Sequence, residues 1–394
     1  MAEQNLGPRD FFAKEDAIAD LGLIACPGAE ELCKLVDSHL VRWAREVGNT
    51  DVDTFIIPSD CPRFQSGDAK GLVKASTRGD DLYIFVDPGN YSVTYQLFGY
   101  ENHLSPDDHF QNLMRLIQAV AGRAHRISVI MPSLYGGRQH RRVSRESLDC
   151  AFALQQLRDV GVKNIITFDA HDPRVMNAVP TMSFDNVMPT YQVLKCLLHH
   201  VPDVSFHKDN FMIVSPDEGA MNRNIYYSSV LSLDMGMFYK RRDYTTIVNG
   251  RNPIIAHEYL GSSVEGKDII VVDDMISSGD SMIDLAYELK KRKANRIFAL
   301  VTFAFFTSGL DHFNKAYEDG VISRVLSTNL TYRSPELLQT PWFVEADMSK
   351  YISYIIATLN HDRSLSHLLT PYDRIERLLT RYKAEQQSSG VSLV

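Results

Sequence analysis

The chain has few cysteines, and no two of them are spaced to act together. Cys26, Cys33, Cys61, Cys150 and Cys196 are scattered, odd in number and form no CxxC pair. That excludes a zinc ribbon or a disulfide framework and suits a reducing compartment. Long apolar runs are also missing. The stretch up to Asp20 mixes acids and bases without an apolar segment, and the longest run, Ile297 to Phe306, is broken by Thr302 and too short to cross a bilayer. A soluble, unexported, cytoplasmic protein with no membrane partner is expected. Positive charge is not in excess: 41 Lys and Arg stand against 49 Asp and Glu, a formal net charge of -8. Such a chain repels a long polyanion on average, so nucleic acid is not the expected partner. A small phosphorylated ligand is not excluded, because a local cluster or a metal ion reverses the field inside one cleft.

What is present is ordinary globular composition, 394 residues with 44% hydrophobic, enough for two domains. Ser105-Pro-Asp-Asp108 reads as a helix start, followed by Phe110, Leu113, Ile117 and Val120 on one face. Ile127–Met131 reads as a strand, Ser147 to Val160 as a helix closed by Gly161, and Asn164–Asp169 as the next strand. The order returns later, with strands at Phe211–Val214, Asp268–Val272 and Arg296–Phe303 and a helix at Ser281–Arg292. This βα alternation predicts parallel sheets. The expected division is 20–185 and 186–345, with 346–394 as a helical extension frayed from Glu385 onward.

Residues able to do chemistry cluster where these strands end. Ile269 to Ser281 is a buried strand that meets the paired acids Asp273 and Asp274 just past its end, then the loop Ser277-Ser278-Gly279-Asp280-Ser281 and a helix. Loop amides and a helix N-terminus at that place suit a phosphate dianion, Ser277, Ser278 and Ser281 add hydroxyl donors, and the two acids suit vicinal sugar hydroxyls. Pro132 to Arg142 follows a strand and sets Arg138, Gln139, Arg141 and Arg142 behind Gly136 and Gly137, a loop able to grip a triphosphate. Asp169-Ala-His171-Asp172 and Ser215-Pro-Asp217-Glu218-Gly219 end two further strands and offer donors to a divalent metal. Lys240-Arg241-Arg242 opens the polar stretch Asp243 to Asn252, which is expected as a cationic loop. Gly261 to Asp268 has nearly the spacing of a P-loop but ends in Asp and precedes a strand, the wrong context.

The order of these segments resembles the ribose-phosphate pyrophosphokinase, or phosphoribosyl pyrophosphate synthetase, family over roughly residues 22 to 370. Arg138 and Gln139 stand where the family has an ATP-gripping Arg-Gln pair. Asp169-Ala-His171 is similar to its Asp-Leu-His, and Ser215-Pro-Asp217 to its metal segment. The resemblance implies two tandem phosphoribosyltransferase-like α/β domains, each a mostly parallel sheet flanked by helices. It also implies Lys240 and Arg242 as transition-state cations and His171 and Asp217 toward Mg²⁺. ATP would meet Arg138, Gln139 and His171, with Phe64 and Asp68 holding adenine across a subunit boundary. Ribose 5-phosphate would meet Asp273, Asp274, Ser277, Ser278, Gly279 and Ser281. A homo-oligomer is implied, dimer-based, with a hexamer as a larger form.

The sequence departs from the family at the ribose-phosphate loop, where Asp-Thr-Gly-Gly-Thr is usual and Ser277-Ser278-Gly279-Asp280-Ser281 stands instead. His140 replaces an Asp, and Ala220 a Gly. The expected reaction is attack of the anomeric hydroxyl of ribose 5-phosphate on the β-phosphorus of ATP, giving phosphoribosyl pyrophosphate and AMP. The alternatives are a non-catalytic regulatory relative and a phosphoribosyltransferase. The second does not explain Arg138-Gln139 and Lys240-Arg242 together.

Overall fold

The structure, a computed structural model, describes residues 17–120, 122–201, 203–242 and 254–388, with side chains left out at 240–242, 254–257 and 386–388. The chain forms two compact units. The first takes the chain up to Met188 together with Asn329–Tyr332 and Asp347–Thr370; the second takes Pro189–Thr328, Arg333–Ala346 and the chain from Pro371.

In the first unit β1 (Leu21–Ala25) leads into α1 (Glu30–Glu46), then the short antiparallel pair β2 (Ser59–Asp60) and β3 (Leu72–Val73). Next come β4 (Asp81–Phe85), a second hairpin of β5 (Thr94–Leu97) and β6 (Tyr100–His103), and α2 (Pro106–Val120). β7 (Arg126–Ile130), α3 (Asp149–Asp159), β8 (Asn164–Phe168) and β9 (Ser183–Val187) complete a five-stranded sheet in the order β1-β4-β7-β8-β9, parallel throughout. The start of α2 is a reciprocal cap. The Asp108 N–H donates to Ser105 Oγ at 3.2 Å while the Ser105 N–H donates to Asp108 Oδ2 at 3.1 Å, which satisfies two backbone donors at once. Its apolar face, Phe110, Leu113, Ile117 and Val120, is buried with Ile84, Val129 and Leu154 in one core.

The second unit begins with α4 (Thr190–His200), β10 (Phe211–Ser215), α5 (Met221–Leu231), β11 (Met235–Arg242) and β12 (Ile254–Leu260). It continues with β13 (Asp268–Ile276), α6 (Asp280–Lys291), β14 (Ile297–Ala304), α7 (Asp311–Glu318), β15 (Arg324–Thr328), α8 (Pro335–Leu338) and β16 (Phe343–Ala346). The sheet order is β12-β11-β10-β13-β14-β15-β16, with only β12 antiparallel to its neighbour. Every residue of β14 is buried, as a strand covered on both faces requires. The residues after 346, expected as one extension, are shared between the units. α9 (Ser349–Asn360) and α10 (Ser366–Leu369) belong to the first, where Ser353 donates to the Val36 carbonyl of α1 at 3.2 Å. α11 (Tyr372–Ser388) belongs to the second and runs past Glu385, the residue expected to begin the fray.

The structure corrects the sequence reading in two further places. Lys240–Arg242 is strand in its backbone, the end of β11 paired with Ile254–His257 of β12, and the polar segment expected as a cationic loop lies outside the described residues. β13 also runs on through Asp273 and Asp274 to Ile276, so the paired acids lie within the strand rather than past it.

Both sheets are fastened at the same end. Asp81, the first residue of β4, takes a two-pronged guanidinium contact from Arg126, the first residue of β7, with Nε and Nη2 each 2.7 Å from a carboxylate oxygen. Asp268, the first residue of β13, accepts from Arg296 Nε at 2.9 Å and Nη2 at 2.6 Å. Asp81 is fully buried, and removing its partner leaves an uncompensated charge. Arg126→Ala is therefore expected to destabilise the first unit by about 3–5 kcal/mol, read as a lower urea midpoint. Wild-type resistance to urea would show that this pair carries no such burden.

Candidate active site

In the first unit the loops at the carboxyl ends of β7 and β8 carry the expected ATP residues. Gly136 has φ 66° and passes so near the start of α3 that an added Cβ would lie 3.1 Å from the Cys150 nitrogen. A side chain there is strained as well as crowded. The resulting turn, with Gly137 N–H to the Leu134 carbonyl and Gln139 N–H to the Gly136 carbonyl at 2.7 Å, leaves Arg138 and Gln139 exposed. Arg141 and Arg142 follow, also exposed.

At the end of β8, Asp169 adopts φ 44°, a left-handed conformation that a non-glycine residue holds only under constraint. The constraint is visible: the Asp169 N–H donates to the Val187 carbonyl and the Ala170 N–H to Asn186 Oδ1 at 2.8 Å. Beyond this kink His171 is exposed, its ring centroid 5.3 Å from that of His140. His140 Nε2 lies 3.6 Å from Asp172 Oδ2. Asp172 also accepts from the Arg174 backbone N–H and guanidinium, and these bonds, with the His140 charge, hold its carboxyl down at about 2. The loops after β7 and β8 are thus joined through His140, a residue singled out from the sequence only as a departure, and Arg174 was not singled out at all.

Phe64 and Asp68 sit at the tip of the β2–β3 hairpin. The Phe64 N–H donates to the Asp68 carbonyl at 2.7 Å, and both side chains are exposed, with Lys70 Nζ 5.7 Å from the Phe64 ring centre. Behind them Arg63 stacks 4.1 Å from the Tyr95 ring centre and bonds Asp108 at 2.8 Å, which anchors the tip to the second hairpin and to α2.

In the second unit the acids are assembled by two residues of α5 that the sequence reading passed over. The pairing of β13 with β10 extends only to Val271. One residue further, the fully buried Asn224 side chain takes over: it donates to the Val272 carbonyl at 2.8 Å and accepts from the Val272 N–H at 3.3 Å. Asp273 follows, with Arg223 Nη1 3.8 Å from its Oδ1, and it accepts the Asp274 N–H at 2.8 Å. Asp274 is buried. Desolvation, then the neighbouring Asp274 charge, push the Asp273 carboxyl well above the usual carboxylate range, and Arg223 only partly offsets them.

The loop after β13 turns on Gly279, at φ 94°, where a Cβ would meet the Phe313 ring at 2.3 Å. Gly279 precedes α6, so the helix's unpaired N–H groups begin there. Ser277 and Ser278 are half-buried and Ser281 is exposed. Ser278 Oγ donates to Asp280 Oδ2 at 3.0 Å, and His312 Nδ1 stands 3.5 Å from Asp280 Oδ1. The extra acid of this loop is thus held by an imidazole and a hydroxyl. In the same unit, Asp217 is half-buried beyond β10, its Oδ1 accepting the Ala220 N–H at 3.1 Å.

Parallel sheets whose strand ends carry a glycine-turned basic loop in one unit and an acid-pair loop leading into a helix in the other define a phosphoribosyltransferase-like protein. The comparisons narrow the class. Residues 21–161 match the N-terminal domain of ribose phosphate pyrophosphokinase, and residues 251–370 match the phosphoribosyl synthetase-associated domain. The chain is 27% identical over 318 residues to the ribose-phosphate pyrophosphokinase of Shewanella oneidensis, spanning 78% of this chain and 89% of that one. It is 23% identical over 310 residues to ribose-phosphate pyrophosphokinase A of Dictyostelium discoideum, spanning 78% and 88%. The fold is that of phosphoribosylpyrophosphate synthetase from Mycobacterium smegmatis, with a TM-score of 0.68 at 18% identity over 87% of this chain and 99% of that one. The chain belongs to the ribose-phosphate pyrophosphokinase family.

A carboxyl raised on folding holds its proton more tightly folded than unfolded. Its support for the fold is complete below the ordinary carboxylate range and is lost as pH climbs through the raised value. Asp273→Asn has no such proton to lose, so its stability is expected to gain on wild type steadily from acid to alkaline pH. Urea melts across that span check it; a stability difference independent of pH would contradict the assignment.

Proposed function

We propose that the chain is a ribose-phosphate diphosphokinase, transferring the β,γ-diphosphoryl group of ATP to the anomeric hydroxyl of ribose 5-phosphate and releasing AMP. The observation that carries the reading is the second unit's strand end. Two adjacent carboxylates near the end of β13 precede a glycine-led helix start, a match to a sugar bearing vicinal hydroxyls and a 5′-phosphate.

In this reading Asp273 and Asp274 accept from the ribose hydroxyls, and the amides of Ser277 to Ser281 hold the phosphate. Arg138, Gln139 and His171 take the ATP phosphates, and the exposed face of Phe64 with Asp68 takes adenine. The chain's own groups bind and orient; no covalent intermediate is needed, because bringing the reactants in line and neutralising phosphate charge supplies the rate. Lys240 and Arg242 supply that neutralising charge.

The donors fit Mg²⁺ carried by the nucleotide. Among the described residues no group of three His, Cys, Asp or Glu side chains is built to hold a metal. Mg²⁺ needs only one or two protein oxygens beside phosphate oxygens and water, which Asp217 can provide, while the His171 imidazole suits phosphate oxygens better. Bound there, Mg²⁺ supplies charge neutralisation at the β- and γ-phosphates. We also propose a cytoplasmic, dimer-based homo-oligomer. Among the described residues no helix is long and apolar enough to cross a membrane.

One observation favours a second reading, a nucleotide-binding relative with little turnover: Asp280 occupies the Ser278 hydroxyl that a 5′-phosphate would use. AMP release from ATP and Mg²⁺, with and without ribose 5-phosphate, separates the two. Release that depends on ribose 5-phosphate, lowered on the order of 10²- to 10⁵-fold in Lys240→Ala, is expected. ATP binding without AMP release would favour the second reading.

A further inference from the structure

Away from both strand-end sites, α4 and α11 of the second unit flank a groove of about 560 Å³. α11 sets Arg374, Arg377 and Arg381 along it, at successive spacings of three and four residues, which puts them on one face over about 10 Å. α4 adds Lys195 and His199, spaced by four. Among the described residues Glu385 is the only acid in the lining. This concentration of cations stands out in a chain of net charge -8.

The groups are partly preorganised. The Arg374 guanidinium lies 4.6 Å from the Tyr191 ring centre, Arg377 Nε donates to the Asp373 carbonyl of its own helix, and Arg381 pairs with Glu385 at 2.7 Å. Leu198 and Leu378 form part of the walls. Like charges at helical spacing repel, and a bound polyanion relieves that repulsion. A guanidinium fork and an ammonium together match phosphate oxygens, and the length of the row matches two or three linked phosphates.

We propose that this groove is a second anion site, which takes a chain of two or three linked phosphates, either free or as the phosphate tail of a nucleotide, separately from the catalytic site. The site is carried mainly by α11, which lies beyond the last residue matched by the family domains.

Titration calorimetry with inorganic tripolyphosphate tests it on the full-length protein. The combined Lys195→Ala, Arg377→Ala and Arg381→Ala variant changes exposed positions only and is expected to leave turnover at saturating substrates unchanged. Wild type is expected to show one more tripolyphosphate site than the variant, or to bind at least about tenfold more tightly there. Parallel titrations with ATP and with adenosine distinguish the sources. Equal binding of ATP and tripolyphosphate at the lost site marks the phosphate chain as what is recognised, tighter ATP marks a nucleotide, and adenosine is expected not to bind there. Arg377→Gln alone serves as the milder variant should the triple substitution disturb folding, and it is expected to weaken the same site. Identical tripolyphosphate stoichiometry and affinity in wild type and variants would overturn the proposal.

Discussion

Two adjacent carboxylates near the end of a buried strand repel each other and resist desolvation, and the second unit is arranged around keeping them there. β13 has lost β10 as a partner by the time it reaches them, so Asn224 stands in for the missing strand at Val272. Arg223, next to it on α5, brings a single positive charge to Asp273. Arg223 offsets only part of the cost: burial first, then the neighbouring Asp274 charge, raises the Asp273 carboxyl. A ligand that brings hydrogen-bond donors to that point is paid for by relief of a strain already present.

The same logic divides each sheet by its ends. At the amino ends of the strands, Asp–Arg pairs with buried carboxylates tie neighbouring strands. At the carboxyl ends the backbone is bent or opened instead: Asp169 held left-handed, Gly136 and Gly279 turned where no side chain fits. Stability and ligand chemistry are thereby kept at opposite ends of the same strands.

Much of this was legible beforehand. The Ser105 and Asp108 cap, the strands around Val129 and Ile165 and the loops after them follow from local pattern, because apolar spacing and capping residues act within a few positions. The end of β13 was misjudged because charged side chains look like a strand's limit, whereas backbone pairing to β14 continues from Asp273 to Ile276 regardless of what the side chains carry. β12 and the end of β11 were missed for a related reason: Lys240–Arg242 is too polar to signal a strand, and an edge ladder needs only backbone partners. Asn224 and Arg223 gave no signal, since a lone amide or guanidinium on a helix acquires its role only when tertiary structure brings a strand end against it. His140 was visible as a departure, but its pairing with Asp172 depends on two loops separated by a whole α/β crossover.

The central claim is that the acid pair of β13, Asp273 half-buried and Asp274 buried, is the sugar-binding element and that nucleotide binding is lodged elsewhere. Calorimetric titration of an Asp273→Asn, Asp274→Asn double variant with ribose 5-phosphate, and separately with ATP, tests this most directly. The account predicts loss of ribose 5-phosphate binding with ATP binding retained. Ribose 5-phosphate bound as tightly by the variant as by wild type would contradict it.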